Sequence, residues 1–269
     1  MSVCLREVRI VRLNVSDGNS ERRLDVVSEE FPLHVFLNDS CVVSILCSPS
    51  KLKELAVGYL VSEGFVHGLD EVSDVRLEED GRCFVRLKLS INAKERLEFA
   101  SSFGRLVVSG CGSADLWPLS KLVDRIKGLK VKSDAVVDAK VVVDCVRRLN
   151  SLAEEYKRTG GVHAASLNRL DGGLVGFAED VGRHNAVDKV IGAGVLRGVD
   201  FGECFLALSG RLSADVVLKA ARVGLPLVAS RAAALSSAVE IAERCGVGLA
   251  GFVRGVAMNV YAHAERFRL

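Results

Sequence analysis

From residue 162 onward, short apolar runs of strand length alternate with stretches of helical spacing. That alternation restricts the chain to an α/β layer with helices packed on a sheet. Val162 to Leu167 and Leu174 to Ala178 read as a strand pair turned by Asp171-Gly172-Gly173, and Phe205 to Leu208, Leu225 to Val228 and Gly248 to Val253 as buried strands. Between them Asn185 to Val195, Ala214 to Val223 and Ser236 to Cys245 carry the 3.6-residue period.

Upstream the pattern is mostly antiparallel β. Val8 to Leu13 and Arg22 to Val27 flank the turn residues Asp17-Gly18-Asn19-Ser20, and Val35 to Leu37 and Val42 to Leu46 flank Asn38-Asp39-Ser40. Cys83 to Leu89 alternates like a half-buried strand. One helix interrupts this part. Ser48 is expected to cap it, with Pro49 in its first turn, and Leu52, Leu55, Ala56, Tyr59 and Leu60 form its buried face. A longer helix is expected from about Asp138 to Lys157, stopped by Gly160-Gly161. The expected division is a β subdomain over 1–133, with one helix and a cysteine loop, and an α/β subdomain over 134–269.

The 49% apolar content suffices for a core without metals or disulfides, and a net charge of +2 argues against a general nucleic-acid binder. Met1 to Val11 mixes apolar residues with Arg6, Glu7 and Arg9, unlike a signal peptide, and the uncharged run Ala232 to Val239 is too short to span a bilayer. A soluble, cytoplasmic protein is expected. None of the eight cysteines has C-x-x-C spacing, which disfavours an all-thiolate zinc site. Cys41, Cys47, Cys83, Cys145, Cys204 and Cys245 sit in or beside apolar runs and read as small buried hydrophobes.

Cys111 differs. It lies in Val108-Ser109-Gly110-Cys111-Gly112-Ser113, where flanking glycines free the backbone and give the thiol access to a partner. A second constellation lies at the predicted strand ends, each followed by a small residue and an arginine: Gly182-Arg183-His184-Asn185, Ser209-Gly210-Arg211, Ser230-Arg231 and Val253-Arg254-Gly255. In a partly parallel sheet these ends share one edge, where helix starts offer N–H groups and arginine offers paired donors to phosphate. A nucleotide or pyrophosphate is the natural ligand class, with His184 and His163 beside it. His34, His67 and His263 lack such a setting.

Thr159-Gly160-Gly161-Val162-His163-Ala164-Ala165, the run Glu179 to Lys189 (EDVGRHNAVDK) and Ser209-Gly210-Arg211 resemble the formate dehydrogenase accessory sulfurtransferase family, FdhD. The likeness extends to Glu30 to Leu33, Leu55 to Gly64 and Gly251 to Gly255. The resemblance implies a cytidine deaminase-like α/β fold, usually homodimeric. It implies that a cysteine desulfurase loads a persulfide onto Cys111. The sulfur would then pass to molybdenum held by two molybdopterin guanine dinucleotides, for formate dehydrogenase. Phe252, Val253, Arg254, Gly255, Val256 and Ala257 match the family's cofactor-binding stretch. His163, Arg183, His184, Asn185, Ser209 and Arg211 are the further candidates for that pocket.

One position departs from the family: many members carry C-x-x-C in the loop, and here the second position is Ala114. A resolving thiol is therefore missing. Two rivals follow. A zinc deaminase needs H-x-E and P-C-x-x-C, but His163 is followed by Ala164-Ala165 and Pro118 by Leu119. A non-catalytic cofactor chaperone would bind the same cofactor without passing sulfur through Cys111. No resident metal is expected.

Overall fold

A computed structural model describes residues 4–102 and 128–269. Cys111, Ala114 and Pro118 lie outside the described residues.

The chain opens with a two-stranded antiparallel ribbon, β1 (Leu5–Asn14) and β2 (Asn19–Ser28). Next comes a four-stranded sheet, in the order β4 (Ser40–Cys47), β3 (Phe31–Leu37), β6 (Arg82–Leu87), β5 (Val72–Leu77). Alternation buries Leu33, Val35 and Leu37 of β3 under helix α1 (Leu52–Ser62). Cys41 is exposed, contrary to expectation, because edge strand β4 pairs it with outward-facing Phe36. A second helix, α2, spans Ala93–Ser102.

The second half is a six-stranded sheet in the order β13 (Ala257–Ala262), β12 (Gly248–Arg254), β11 (Leu227–Ser230), β10 (Cys204–Leu208), β8 (His163–Arg169), β9 (Leu174–Asp180). Strands β10, β11 and β12 run parallel, whereas β8, β9 and β13 pair antiparallel with their neighbours. This is the expected α/β layer. The short strands β7 (Val137–Asp138) and β14 (Phe267–Arg268) pair in parallel apart from it.

Each face of the large sheet feeds a separate apolar cluster. Leu167, Leu206, Leu208, Val228 and Leu249 join helices α5 (Arg183–Leu196), α6 (Ala214–Arg222) and α7 (Ser236–Cys245). Ala164, Phe205, Ala207, Leu227 and Ala229 join α3 (Ala139–Leu152). The first cluster runs on through α1 to Leu33 and Val35 of the small sheet. Helix α5, buried on nearly every side, lies between α1 and the large sheet.

Two local expectations are corrected by long-range contacts. Helix α1 starts at Leu52 after Lys51, whose φ is 52°, and not at Ser48. Ser48 is fully buried, its hydroxyl accepting from Val181 N at 3.2 Å and its amide donating to Asp180 at 3.1 Å. These partners replace a local cap. The long helix breaks at Ala153 into α3 and α4 (Glu154–Thr159). There the Glu179 carboxylate of β9 accepts from the amides of Glu155 and Tyr156 at 3.1 and 2.9 Å, an anion set on a fresh helix start. Beyond β12 the chain turns at Gly255, φ 58°, and returns as edge strand β13. Among the described residues no helix is long and apolar enough to cross a membrane.

Candidate functional site

Strand direction assembles the site. The parallel strands β10, β11 and β12 end on the same edge, and the pairings Leu208–Ala165 and His163–Asp180 bring the start of β8 and the end of β9 to it as well. Arg183, Arg211, Arg231 and Arg254 thus follow strands that finish side by side. Four interstrand steps of about 4.8 Å set the outermost two about 19 Å apart, the span of a dinucleotide rather than of one phosphate.

At one end Asp180, fully buried, organises the turn into α5. Its Oδ1 accepts from Gly182 N and Asn185 Nδ2, both at 2.8 Å, and its Oδ2 meets Lys189 Nζ at 2.6 Å. Asn185 also donates to Leu46 O at 2.9 Å, so its amide is engaged within the protein. The result is a fixed α5 start that presents Arg183 and His184.

The neighbouring loop, Ser209 to Ser213, leans on that start. Ser209 extends the β8–β10 ladder, its amide donating to Ala164 O and its hydroxyl accepting from Ala164 N, both at 2.9 Å. Gly210 is needed for close approach: a Cβ there would lie 3.1 Å from Arg183 Cβ and 3.5 Å from His163 Nδ1. The next loop is tied on by Ser230, whose hydroxyl donates to Gly210 O at 2.6 Å.

The stretch Phe252 to Ala257 is the β12–β13 turn. Phe252 sits in the left-handed region at φ 50°, uncommon for a bulky residue, and donates its N–H to Ala232 O at 3.0 Å. Arg254 donates to Arg231 O at 3.1 Å and lies over the Phe252 ring, 5.4 Å from its centroid. Val253 points into the core, while Gly255, Val256 and Ala257 are exposed. Arg231 is bonded to Asn150 of α3, a partner the sequence did not announce.

The electrostatics favour anions. Burial, then the Arg183 and Arg211 guanidinium groups, holds His163 below the usual imidazole range. Burial, then Arg183 and Lys219, pushes His184 down to about 3. Both rings are therefore neutral at pH 7, and the positive charge resides on arginine. Among the described residues three buried side-chain atoms have no hydrogen-bond partner: Arg183 Nε, His184 Nε2 and Ser213 Oγ. Each orphan costs about 1–3 kcal/mol. Ser213 escaped the sequence reading, although Ser213-Ala214-Asp215 opening a helix is an N-cap signal.

A pH dependence follows. The unfolded histidine protonates near 6.5, but folded His184 resists until about 3. Between these values the unfolded chain binds the extra proton, so stability is complete above the upper value and drains as pH falls. His184→Gln is expected to reduce the stability lost between pH 7 and pH 4.5 by about 2–3 kcal/mol, measured by urea unfolding at each pH. Equal losses in variant and parent would assign the acid limb to other groups.

The edge defines a class, an α/β protein that gathers arginines at its strand ends. Comparison with known proteins narrows it. The FdhD/NarQ family model matches residues 28–268, and the chain belongs to that family. It is 36% identical over 266 residues to the sulfur carrier protein FdhD of Sulfolobus acidocaldarius, covering 98% of this chain and 99% of the relative. It is 33% identical over 273 residues to the protein of the same name from Bacillus pumilus, covering 99% of each. Among solved structures it is similar to a candidate formate dehydrogenase accessory protein from Desulfotalea psychrophila. That match has a TM-score of 0.77 and 25% identity and covers 98% of this chain and 100% of the other.

Proposed function

We propose that this protein carries persulfide sulfur on Cys111 from a cysteine desulfurase to molybdenum bound by two molybdopterin guanine dinucleotides, in support of formate dehydrogenase. The carrying observation is the arginine-lined edge where four strand ends and two helix starts converge. Two pyrophosphates need several donors spread over a long crevice, and Arg183, Arg211, Arg231 and Arg254 supply them. The Phe252 to Ala257 turn would carry the far end of the cofactor. The cofactor is the substrate here, and a homodimer working in the cytoplasm completes the proposal.

Loading is a thiol exchange. The Cys111 thiolate attacks the outer sulfur of the desulfurase persulfide. One S–S bond forms, one breaks, and the desulfurase cysteine leaves as thiolate. Delivery of that sulfur as sulfide consumes two electrons, which a thiol reductant supplies, since Ala114 stands where a resolving cysteine would be. Three of the buried cysteines are poor carriers. Burial pushes Cys47 up to about 12 and Cys83 and Cys204 up to about 11, so none is a thiolate at neutral pH.

Intact mass after incubation with a cysteine desulfurase and cysteine tests the reading. Wild type is expected to gain one sulfur and Cys111→Ala none. A wild type that stays unmodified beside an active desulfurase would favour the chaperone reading, which the missing second thiol already suggests.

A further inference from the structure

The opening ribbon is an arm without a sheet. Among the described residues β1 and β2 pair only with each other, and they lie almost wholly before residue 28, where the match to the family model begins. A lone two-stranded ribbon is marginal in water, and an open strand edge is a template for another strand. One face of its outer half is apolar. Val11, Leu13 and Leu24 are each more than half exposed, and they share that face because Leu24 stands opposite Arg9, two positions from Val11. The two edges differ. Helix α4 packs against β2, and on β2 Arg23 already lies 3.9 Å from both Glu21 and Asp25. On β1 Glu7 and Arg9 are exposed and, among the described residues, neither makes an ion pair.

We propose that the outer edge of β1 pairs antiparallel with β1 of a second copy of this chain, about a two-fold axis through Val8, so that two ribbons become one sheet. In that register Val8 faces its own copy, Glu7 faces Arg9 and Leu5 faces Val11, and symmetry makes each of the last two pairs occur twice. Charge selects this register over its neighbours. An axis through Glu7 sets that carboxylate against itself. One through Arg9 sets Arg9 against Arg9 and Arg6 against Arg12, and one through Ile10 gives Glu7 only Leu13. Facing charges of opposite sign stabilise a strand pair, and like charges oppose it. A strand that carries both signs two residues apart, centred on valine, is complementary to itself, which is why the partner is a copy. The Asn14–Asn19 turn lies beyond the paired stretch. So small an interface gives a weak dimer, sensitive to dilution and salt. It stands apart from the sulfur reading: the mass test on Cys111 passes or fails without it.

Cross-linking of the full chain tests the axis. Facing residues of an antiparallel pair have Cα atoms about 4.5–5.5 Å apart, within reach of a disulfide. Val8→Cys, oxidised with diamide, is expected to give a disulfide-linked dimer on a non-reducing gel. Wild type and Val15→Cys, a position in the exposed turn, set the background from native cysteines and random collision. Sedimentation across a dilution series tests the charges. Glu7→Arg is expected to weaken association about tenfold, since two ion pairs become two repulsions. Adding Arg9→Glu restores opposite signs at each pair and should return association to the wild-type level. These side chains are exposed or half-buried, so each variant should melt with wild type.

Val8→Cys that cross-links no faster than the two controls would overturn the pairing, whatever other surface joins two chains. Glu7→Arg that associates like wild type would overturn it as well. A double variant as weak as Glu7→Arg alone would show that Glu7 and Arg9 do not face each other, and the register would fall.

Discussion

Gly192→Ala is expected to leave almost no soluble folded protein. A Cβ on Gly192 would lie 1.8 Å from Glu54 O and 2.8 Å from Gly58 N, and one on Gly58 would lie 1.8 Å from Asp188 O. Each glycine is thus the space into which the opposite backbone fits. The obstructing atoms are main chain and cannot rotate away, so α1 and α5 would have to separate along their whole crossing. Separation would pull apart the buried network beside it. There Lys219 Nζ meets Asp188 at 2.8 and 2.9 Å, Glu63 at 2.9 Å and Ser62 Oγ at 2.9 Å. Burial pulls the Lys219 ammonium down, but the Asp188 and Glu63 carboxylates outweigh it and hold it above the usual lysine range. Overpacking alone costs about 1–3 kcal/mol, and a broken buried charge cluster adds a comparable loss. Soluble yield and the urea midpoint report the outcome. A Gly192→Ala protein with the wild-type midpoint would mean that the helices do not cross at this pair.

The second large effect is expected from Lys189→Met. Lys189 and Asp180 are both fully buried and 2.6 Å apart, and the ammonium also donates to Ser48 O at 3.0 Å and Glu179 O at 3.3 Å. Methionine fills the volume but leaves the Asp180 carboxylate without its cation, a loss of about 3–5 kcal/mol. Asp180→Asn in the same chain removes the stranded charge, and the double variant is expected to recover part of that loss. A double-mutant cycle in urea measures the coupling. Additive losses would mean that the two charges act independently, and the account of the α5 turn would fail with them.

The features legible in the sequence were those set within a few residues. Alternating strand and helix periods from Val162 onward gave the layer because each period is local, and the strand-end arginines could be aligned because parallel strands must finish together. What escaped was fixed at a distance. Ser48 is a good cap by every local criterion, yet its amide is taken by Asp180, 132 positions away. Nothing local to Lys189 announces that its cation is fully buried against Asp180. Asn185 and Ser209, named as ligand contacts for their neighbourhood, also hold the protein together: Asn185 Nδ2 donates to Leu46 O and Asp180, and Ser209 Oγ accepts from Ala164 N. Ser213, by contrast, carried a readable signal.

Strand β9 places two adjacent carboxylates on opposite duties. Glu179 anchors the start of α4, and Asp180 anchors the turn into α5. Successive side chains of a strand point to opposite faces, so one inserted or deleted residue would exchange the two and satisfy neither. Chain length between Gly173 and Arg183 is accordingly frozen, and natural variants or engineered fusions should find no room there. The Asn14–Asn19 turn of the opening ribbon, far from any such double anchor, can lengthen freely and is the place to attach a label or a tether.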